Sequence, residues 1–223
     1  YQDLRQEKKQ EEKLKSLVKE EFIAPFDLCS GPLLRATLYQ VENNKWIFTY
    51  TMHHIISDGW SMDILIHELL LLYNVYSKGE LNPLPPLRIQ YKDYAAWQQE
   101  QLKGEQLKDH KKYWLEQFSR EIPVLELPAD KVRPSVKTYN GGTVNKTVNT
   151  ALSKGLKTLS QEQGGTLFMG LLAAVKALLY RYTNQEDIII GSPIAGREHV
   201  DLENQIGFYV NTLALRTQCK GED

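Results

Sequence analysis

Two adjacent imidazoles, His53 and His54, open the run His53-His54-Ile55-Ile56-Ser57-Asp58-Gly59. Imidazole is the side chain whose ordinary pKa lies nearest neutrality, so a positioned histidine suits general-base work. The pair follows an apolar, β-branched run. At the end of such a strand its two rings project to opposite faces, so only one faces a given cleft and the other packs or orients it. Asp58 stands four residues beyond His54, across a tight turn that Gly59 is expected to enable. Ser57 or Asp58 suits the N-cap of a following helix. A structural reading competes: two satisfied polar residues at a strand end, and a carboxylate that only caps a helix. A Ser-His-Asp triad is not supported, because no serine sits in a nucleophile-elbow context. No metal site is expected either. Adjacent histidines rarely converge on one ion, and His67, His110 and His199 have no ligand-like spacing.

The surrounding pattern supplies elements to hold this segment. Residues 3–22 carry Leu4, Leu14, Leu17, Val18 and Phe22 near helical spacing among Glu, Lys and Gln, which predicts an exposed amphipathic helix ended by Pro25. Leu33–Val41 and Lys45–Met52, separated by Glu42-Asn43-Asn44, read as a β-hairpin rich in aromatic and β-branched residues. Ser61–Tyr76 is apolar enough to predict a helix buried on more than one side. Pro83, Pro85 and Pro86 make a stiff connection, the expected boundary between residues 1–85 and 86–223. Beyond it the pattern predicts helices near 91–102, 106–118, 152–162 and 166–182. It predicts strands near 143–148, 187–190 and 206–215. Helices and strands are interspersed, so the fold class is mixed α/β.

Composition excludes several roles. The net charge of -1 leaves no electrostatic footprint for nucleic acid or an anionic membrane. Lys108, His110, Lys111 and Lys112 are interrupted by Asp109 and read as a solvated helix face. Cys29 and Cys219 have no metal-ligand spacing and no companions of a catalytic thiol, so the expected compartment is the reducing cytoplasm. No apolar run is long enough to span a bilayer. The first residue is not methionine and the last four follow a strand-like run, so both ends read as cut.

Met52-His53-His54-Ile55-Ile56-Ser57-Asp58-Gly59-Trp60-Ser61 resembles the H-H-x-x-x-D-G signature of the condensation domains of nonribosomal peptide synthetases. That signature is shared across the chloramphenicol-acetyltransferase-like superfamily, so companions narrow it. Tyr91-Lys92-Asp93-Tyr94-Ala95-Ala96-Trp97 is similar to the family's Y-x-D-[FY]-A-x-W motif, and Ile206-Gly207-Phe208-Tyr209-Val210-Asn211-Thr212 to its I-G-x-[FL]-V-N-T motif. Phe26-Asp27-Leu28 with Gly31-Pro32-Leu33-Leu34-Arg35, Leu125–Asp130 with Arg133-Pro134, and Gly191–Arg197 also resemble family segments in order.

The resemblance implies a two-lobe α/β sandwich, with residues 1–85 as the second half of an N-terminal lobe and 86–223 as the first half of a C-terminal lobe. It implies amide formation between a carrier-bound acyl or peptidyl thioester and the amine of a carrier-bound aminoacyl thioester. The phosphopantetheine arms ride on donor and acceptor peptidyl carrier domains; no cofactor is bound directly, and an adenylation domain is expected in the parent. By resemblance His54 is the catalytic residue and His53 a support. Asp58 is a brace, and Gly59 lets the backbone approach the reacting carbonyl. Arg197 is a partner for Asp58 or a solvated loop residue; Asn211, Tyr91 and Trp97 are structural or tunnel-lining. Trp97, Tyr94 and Phe208 are expected as core aromatics. The family's terminal motifs are missing, so residues 1–223 alone are expected to be inactive, with apolar surface exposed. Epimerisation, acyl-coenzyme A-dependent acetyl transfer and non-catalytic recruitment are alternatives; recruitment domains of this kind typically lose the second histidine.

Overall fold

The computed structural model describes residues 1–132, 134–138 and 140–220, with the backbone only at Gln106. Arg133 therefore lies outside the described residues. The chain divides into two compact units, one of residues 1–104 and 193–211, the other of residues 105–192 and 212–223.

In the first unit β1 (Gln2–Asp3) runs parallel to the first strand of a hairpin, with Gln2 opposite Tyr39. The expected helix from residue 3 begins later, as α1 (Gln10–Ile23). Leu4 is buried and its N–H donates to the Gln40 carbonyl, so tertiary pairing holds this stretch as an edge strand in place of helix. The hairpin itself is β2 (Leu34–Glu42) and β3 (Lys45–Met52), paired antiparallel with Leu38 opposite Phe48 and Leu34 opposite Met52. Helix α1 is fastened to it by polar contacts. The Glu21 carboxylate accepts from the Thr37 and Thr49 hydroxyls, and the Arg35 guanidinium donates to the Glu21, Ala24 and Pro25 carbonyls. The first two are carbonyls that a helix end leaves without partners.

β3 leads through a single 3-10 turn (His54–Ile56) into α2 (Gly59–Tyr76). This corrects the expectation that both histidines end the strand with opposed side chains: His54 already belongs to the turn. Nor is α2 buried on more than one side. Ser61 is its one buried residue, and Leu70, Tyr73 and Tyr76 are exposed. An apolar helical run states that a face needs covering, not that the described residues supply the cover. Residues 77–90 contain no helix, and α3 (Tyr91–Gln101) follows, closed at its start by reciprocal bonds between Gln90 and Asp93.

The second unit contains α4 (Gln106–Gln117), α5 (Thr150–Glu162) and α6 (Leu167–Thr183), with α5 packed on α6. β4 (Asp187–Ile194) and β5 (Asn211–Gln218) pair as a two-stranded sheet. Arg216 ties that sheet to the end of α4, bonding Asp187 and the Gln117 and Glu121 carbonyls. The strand expected at 143–148 is not present; Val144 and Val148 are exposed, and a strand without a neighbour has no ladder to join. The strand expected at 206–215 begins only at Asn211, because residues 205–209 turn back into the first unit, after its short helix α7 (Val200–Glu203). Among the described residues no single helix is long and apolar enough to cross a membrane.

Candidate functional site

The 3-10 turn after β3 fixes both histidines. His53 caps it, with Nδ1 accepting the Ile55 N–H at 3.1 Å, and its ring lies edge-on to Phe26, 6.0 Å between centroids. His54 Nδ1 lies 2.6 Å from the Ser57 carbonyl oxygen. A carbonyl has no proton to give, so Nδ1 carries the hydrogen and donates it. The neutral ring is then the tautomer with its lone pair on Nε2. Among the described residues Nε2 has no hydrogen-bond partner, and His54 is exposed. The ring stands across Phe208, with centroids 5.3 Å apart and planes at 76°.

Asp58 does not touch His54. It caps α2: Oδ1 accepts the Ser61 N–H at 2.9 Å and lies 2.7 Å from the Ser61 hydroxyl. Oδ2 accepts the Tyr209 N–H at 3.0 Å, and Arg197 Nη2 reaches Oδ1 at 3.2 Å. The two charged side chains are 1% and 3% exposed, so neither has water to solvate it. Burial alone pushes the Asp58 carboxyl up, but the bonds from Ser61, Tyr209 and Arg197 outweigh it and hold the group below the usual carboxylate range. Asp58 is therefore a charged anchor within the first unit.

Arg197 completes the anchor. Nη1 donates to the Gln205 carbonyl at 2.7 Å and to that of Leu202; Nη2 also donates to Ser61 Oγ at 2.9 Å. Its guanidinium lies over the Tyr209 ring, 4.1 Å from the centroid. A planar fork with this many donors serves several acceptors at once, which an ammonium cannot do. The Tyr209 phenol donates to Gln205 Oε1 at 2.5 Å, and burial pushes its pKa up to about 12. Gln205 in turn donates to the Ile89 carbonyl at 2.6 Å.

The remaining sequence candidates fall at several distances from this centre. The Tyr91 hydroxyl donates to the Phe208 carbonyl at 2.9 Å, so Tyr91 belongs to it. Tyr94 is buried against Tyr209 and Leu202, but Trp97 is 55% exposed and Phe208 is partly exposed, so those two are not core aromatics. Asn211 opens β5 and is exposed. Gly59 is the first residue of α2; its φ is not positive, and a Cβ there meets nothing within 4 Å. The turn therefore does not depend on a glycine conformation. Sequence reasoning gave no role to Ser61 or Gly207. The one local signal for Ser61 was its place three residues beyond a capping Asp, where its N–H must find an acceptor. Among the described residues no group of three His, Cys, Asp or Glu is placed to hold a metal ion.

Comparison with known proteins identifies the family. The model of the Condensation domain family matches residues 1–223. The chain belongs to the condensation-domain family. Its relatives include a linear gramicidin synthase of Brevibacillus parabrevis, 48% identical over 211 residues, which are 95% of this chain and 4% of that protein. Malpibaldin synthetase of Mortierella alpina is 46% identical over 222 residues, 100% of this chain and 4% of that one. Among solved structures, the X-domain from teicoplanin biosynthesis, in complex with OxyB, superposes with a TM-score of 0.84 at 27% identity. The match covers 93% of this chain and 47% of that one. The condensation-domain chain thus spans a small part of the curated relatives and about half of that structure. Its mixed α/β fold is of the chloramphenicol-acetyltransferase type.

Proposed function

We propose that this condensation-domain chain carries the reacting histidine of an enzyme that joins two carrier-bound substrates. The amine of an aminoacyl thioester attacks the carbonyl carbon of an acyl or peptidyl thioester. A C–N bond forms, the C–S bond breaks, and the proton lost by the amine leaves with the thiol of the donor arm. The thioesters, on phosphopantetheine arms of donor and acceptor carrier domains, are the substrates, and an adenylation domain in the same polypeptide supplies the acceptor.

One observation carries the reading: His54 Nδ1–H is committed to the Ser57 carbonyl, which leaves Nε2 as an exposed acceptor. That geometry also bears on its role. In a Ser-His-Asp triad a carboxylate on Nδ1 stabilises the imidazolium. Here the partner is a neutral carbonyl, and both oxygens of Asp58 are spent on Ser61, Tyr209 and Arg197. The arrangement favours Nε2 accepting a hydrogen bond from the attacking amine, orienting it and easing the developing positive charge, over storing a full proton. The complete polypeptide with both carriers loaded tests this. His54→Ala is expected to abolish single-turnover amide formation while carrier loading continues; full turnover would sink the proposal. A recruitment role is the second reading, favoured by the likeness to the X-domain solved in complex with OxyB; it requires that His54→Ala be without effect on the synthetase.

A further inference from the structure

Ser61 is fully buried, and its single hydroxyl meets four polar groups, one on nearby Asp58 and three on the distant residues Arg197 and Gly207. It accepts the Arg197 Nη2–H at 2.9 Å and the Gly207 N–H at 3.0 Å. Its own hydrogen lies between two acceptors, Asp58 Oδ1 at 2.7 Å and the Gly207 carbonyl at 2.8 Å. Both backbone groups of Gly207 therefore rest on one oxygen atom. A hydroxyl with every lone pair and its proton engaged in a water-free setting is a rigid fixture, because any displacement strands a buried polar group.

The fixture locks the turn that follows. A Cβ on Gly207 would lie 2.4 Å from the Tyr91 ring and 2.7 Å from the Tyr209 ring, so the turn is packed against both aromatics. Phe208 is pinned on each side: through Gly207 to Ser61, through the Tyr209 N–H to Asp58, and through its own carbonyl to the Tyr91 hydroxyl. Its ring is the one that stands across the His54 imidazole. His54 is tied at Nδ1, which leaves rotation of the ring plane to be restrained, and the Phe208 ring walls that rotation.

We infer that Ser61 is a positioning residue for His54, acting through Gly207 and the Phe208 ring, and that Tyr91 supports the same turn. This rests on the proposed role of His54, but the coupling is measurable without turnover. Diethyl pyrocarbonate acylates the free nitrogen of neutral imidazole, and mass spectrometry of the fragmented peptide separates His54 from its neighbour His53, an internal reference. The complete polypeptide is used, with Phe208→Leu, Tyr91→Phe and Ser61→Ala. The first two remove an exposed ring and one hydroxyl, and so are expected to fold even where Ser61→Ala does not.

The expected result is a rise of about threefold in the His54 acylation rate in each folded variant, the size of one aromatic contact, with the His53 rate unchanged. A shift in the pH dependence of His54 acylation accompanies it. The single-turnover rate constant for amide formation is expected to fall about ten- to a hundredfold while carrier loading is unchanged, since small misplacement acts on the reacting geometry. Unchanged His54 rate and pH profile in Phe208→Leu and Tyr91→Phe overturn the inference, whatever turnover does. Altered acylation with unchanged turnover leaves Ser61 coupled to His54 and removes instead the proposed role of His54 itself.

Discussion

Arg197 Nη2 stands 3.2 Å from Asp58 Oδ1, and the two side chains, 139 residues apart in sequence, are both out of reach of solvent. Each charge is satisfied further by hydrogen bonds, Asp58 by Ser61 and Tyr209, Arg197 by the carbonyls of Leu202 and Gln205. Pairs of this kind stabilise little against a well-packed apolar substitute, but removing one partner leaves the other charged and dry. Asp58→Asn is therefore expected to cost about 3–5 kcal/mol in chemical unfolding at pH 7. An unfolding curve that matches the parent protein would show that the charge is solvated after all.

The same carboxyl sets a pH dependence. Its folded pKa is held below the usual carboxylate value, so its contribution is complete above the unfolded value of about 3.9 and is lost as pH falls through the folded one. The parent protein is expected to lose stability relative to Asp58→Asn only below about pH 4, where the gap between them narrows. Urea midpoints for both proteins between pH 6 and pH 3 measure it, and a constant gap would contradict the assignment.

Arg197→Lys keeps the charge and loses the fork. An ammonium cannot reach Asp58, Ser61, Leu202 and Gln205 together, and it does not lie flat on the Tyr209 ring. The substitution is expected to destabilise by about 2 kcal/mol, two or three lost hydrogen bonds, and to release the 205–209 turn. Hydrogen exchange at the Gly207 and Tyr209 amides reads that release directly; unaltered protection of both would show that charge alone holds the turn.

How much of this could be read from residues depended on how far apart the partners lie. The hairpin was legible because alternating β-branched and aromatic residues flank a polar turn. The cap of α2 was legible as far as a choice between Ser57 and Asp58, because both stand just before the apolar helical run. The start of β5 was not: residues 206–210 have a strand's composition, but side chains of Asp58 and Ser61, some 150 positions away, take their backbone bonds and turn them. Residues 143–148 erred the other way, a strand-like run with no neighbour to pair with. The apolar helix α2 misled because composition reports what a face requires and not which element meets it. Ser61 escaped notice since three of its hydroxyl's bonds come from the 197–207 region, which no local pattern connects to it.

Gly196 is required by two separate constraints, positive φ of 66° and a neighbour. A Cβ there would lie 2.1 Å from the Tyr209 carbonyl oxygen, a backbone atom that cannot rotate away. Gly196→Ala is expected to cost about 1–3 kcal/mol and to shift the loop that delivers Arg197. Thermal unfolding tests the first and Gly207 amide exchange the second; a variant with parental values in both would show that the loop yields freely.

Exposure of apolar groups leads to a final expectation for residues 1–223 produced alone. Their accessible surface is 18374 Å². A compact body of this size has about 10,000 Å², and two separately compact bodies of half the size have about 13,000 Å² together. The excess therefore does not depend on how the two units are arranged. Part of it is apolar and contiguous within one element: Ile66, Leu69, Leu70, Tyr73 and Tyr76 on α2, and Leu34, Leu38, Trp46 and Phe48 on one face of the β2–β3 hairpin. Surfaces of this kind mark where another element belongs, and left open they associate. The isolated chain is expected to enhance anilinonaphthalene sulfonate fluorescence strongly and to sediment as a concentration-dependent mixture. The same residues within the complete polypeptide are expected to do neither. A monodisperse monomer that leaves the dye dark would mean that these faces find cover within the 223 residues themselves.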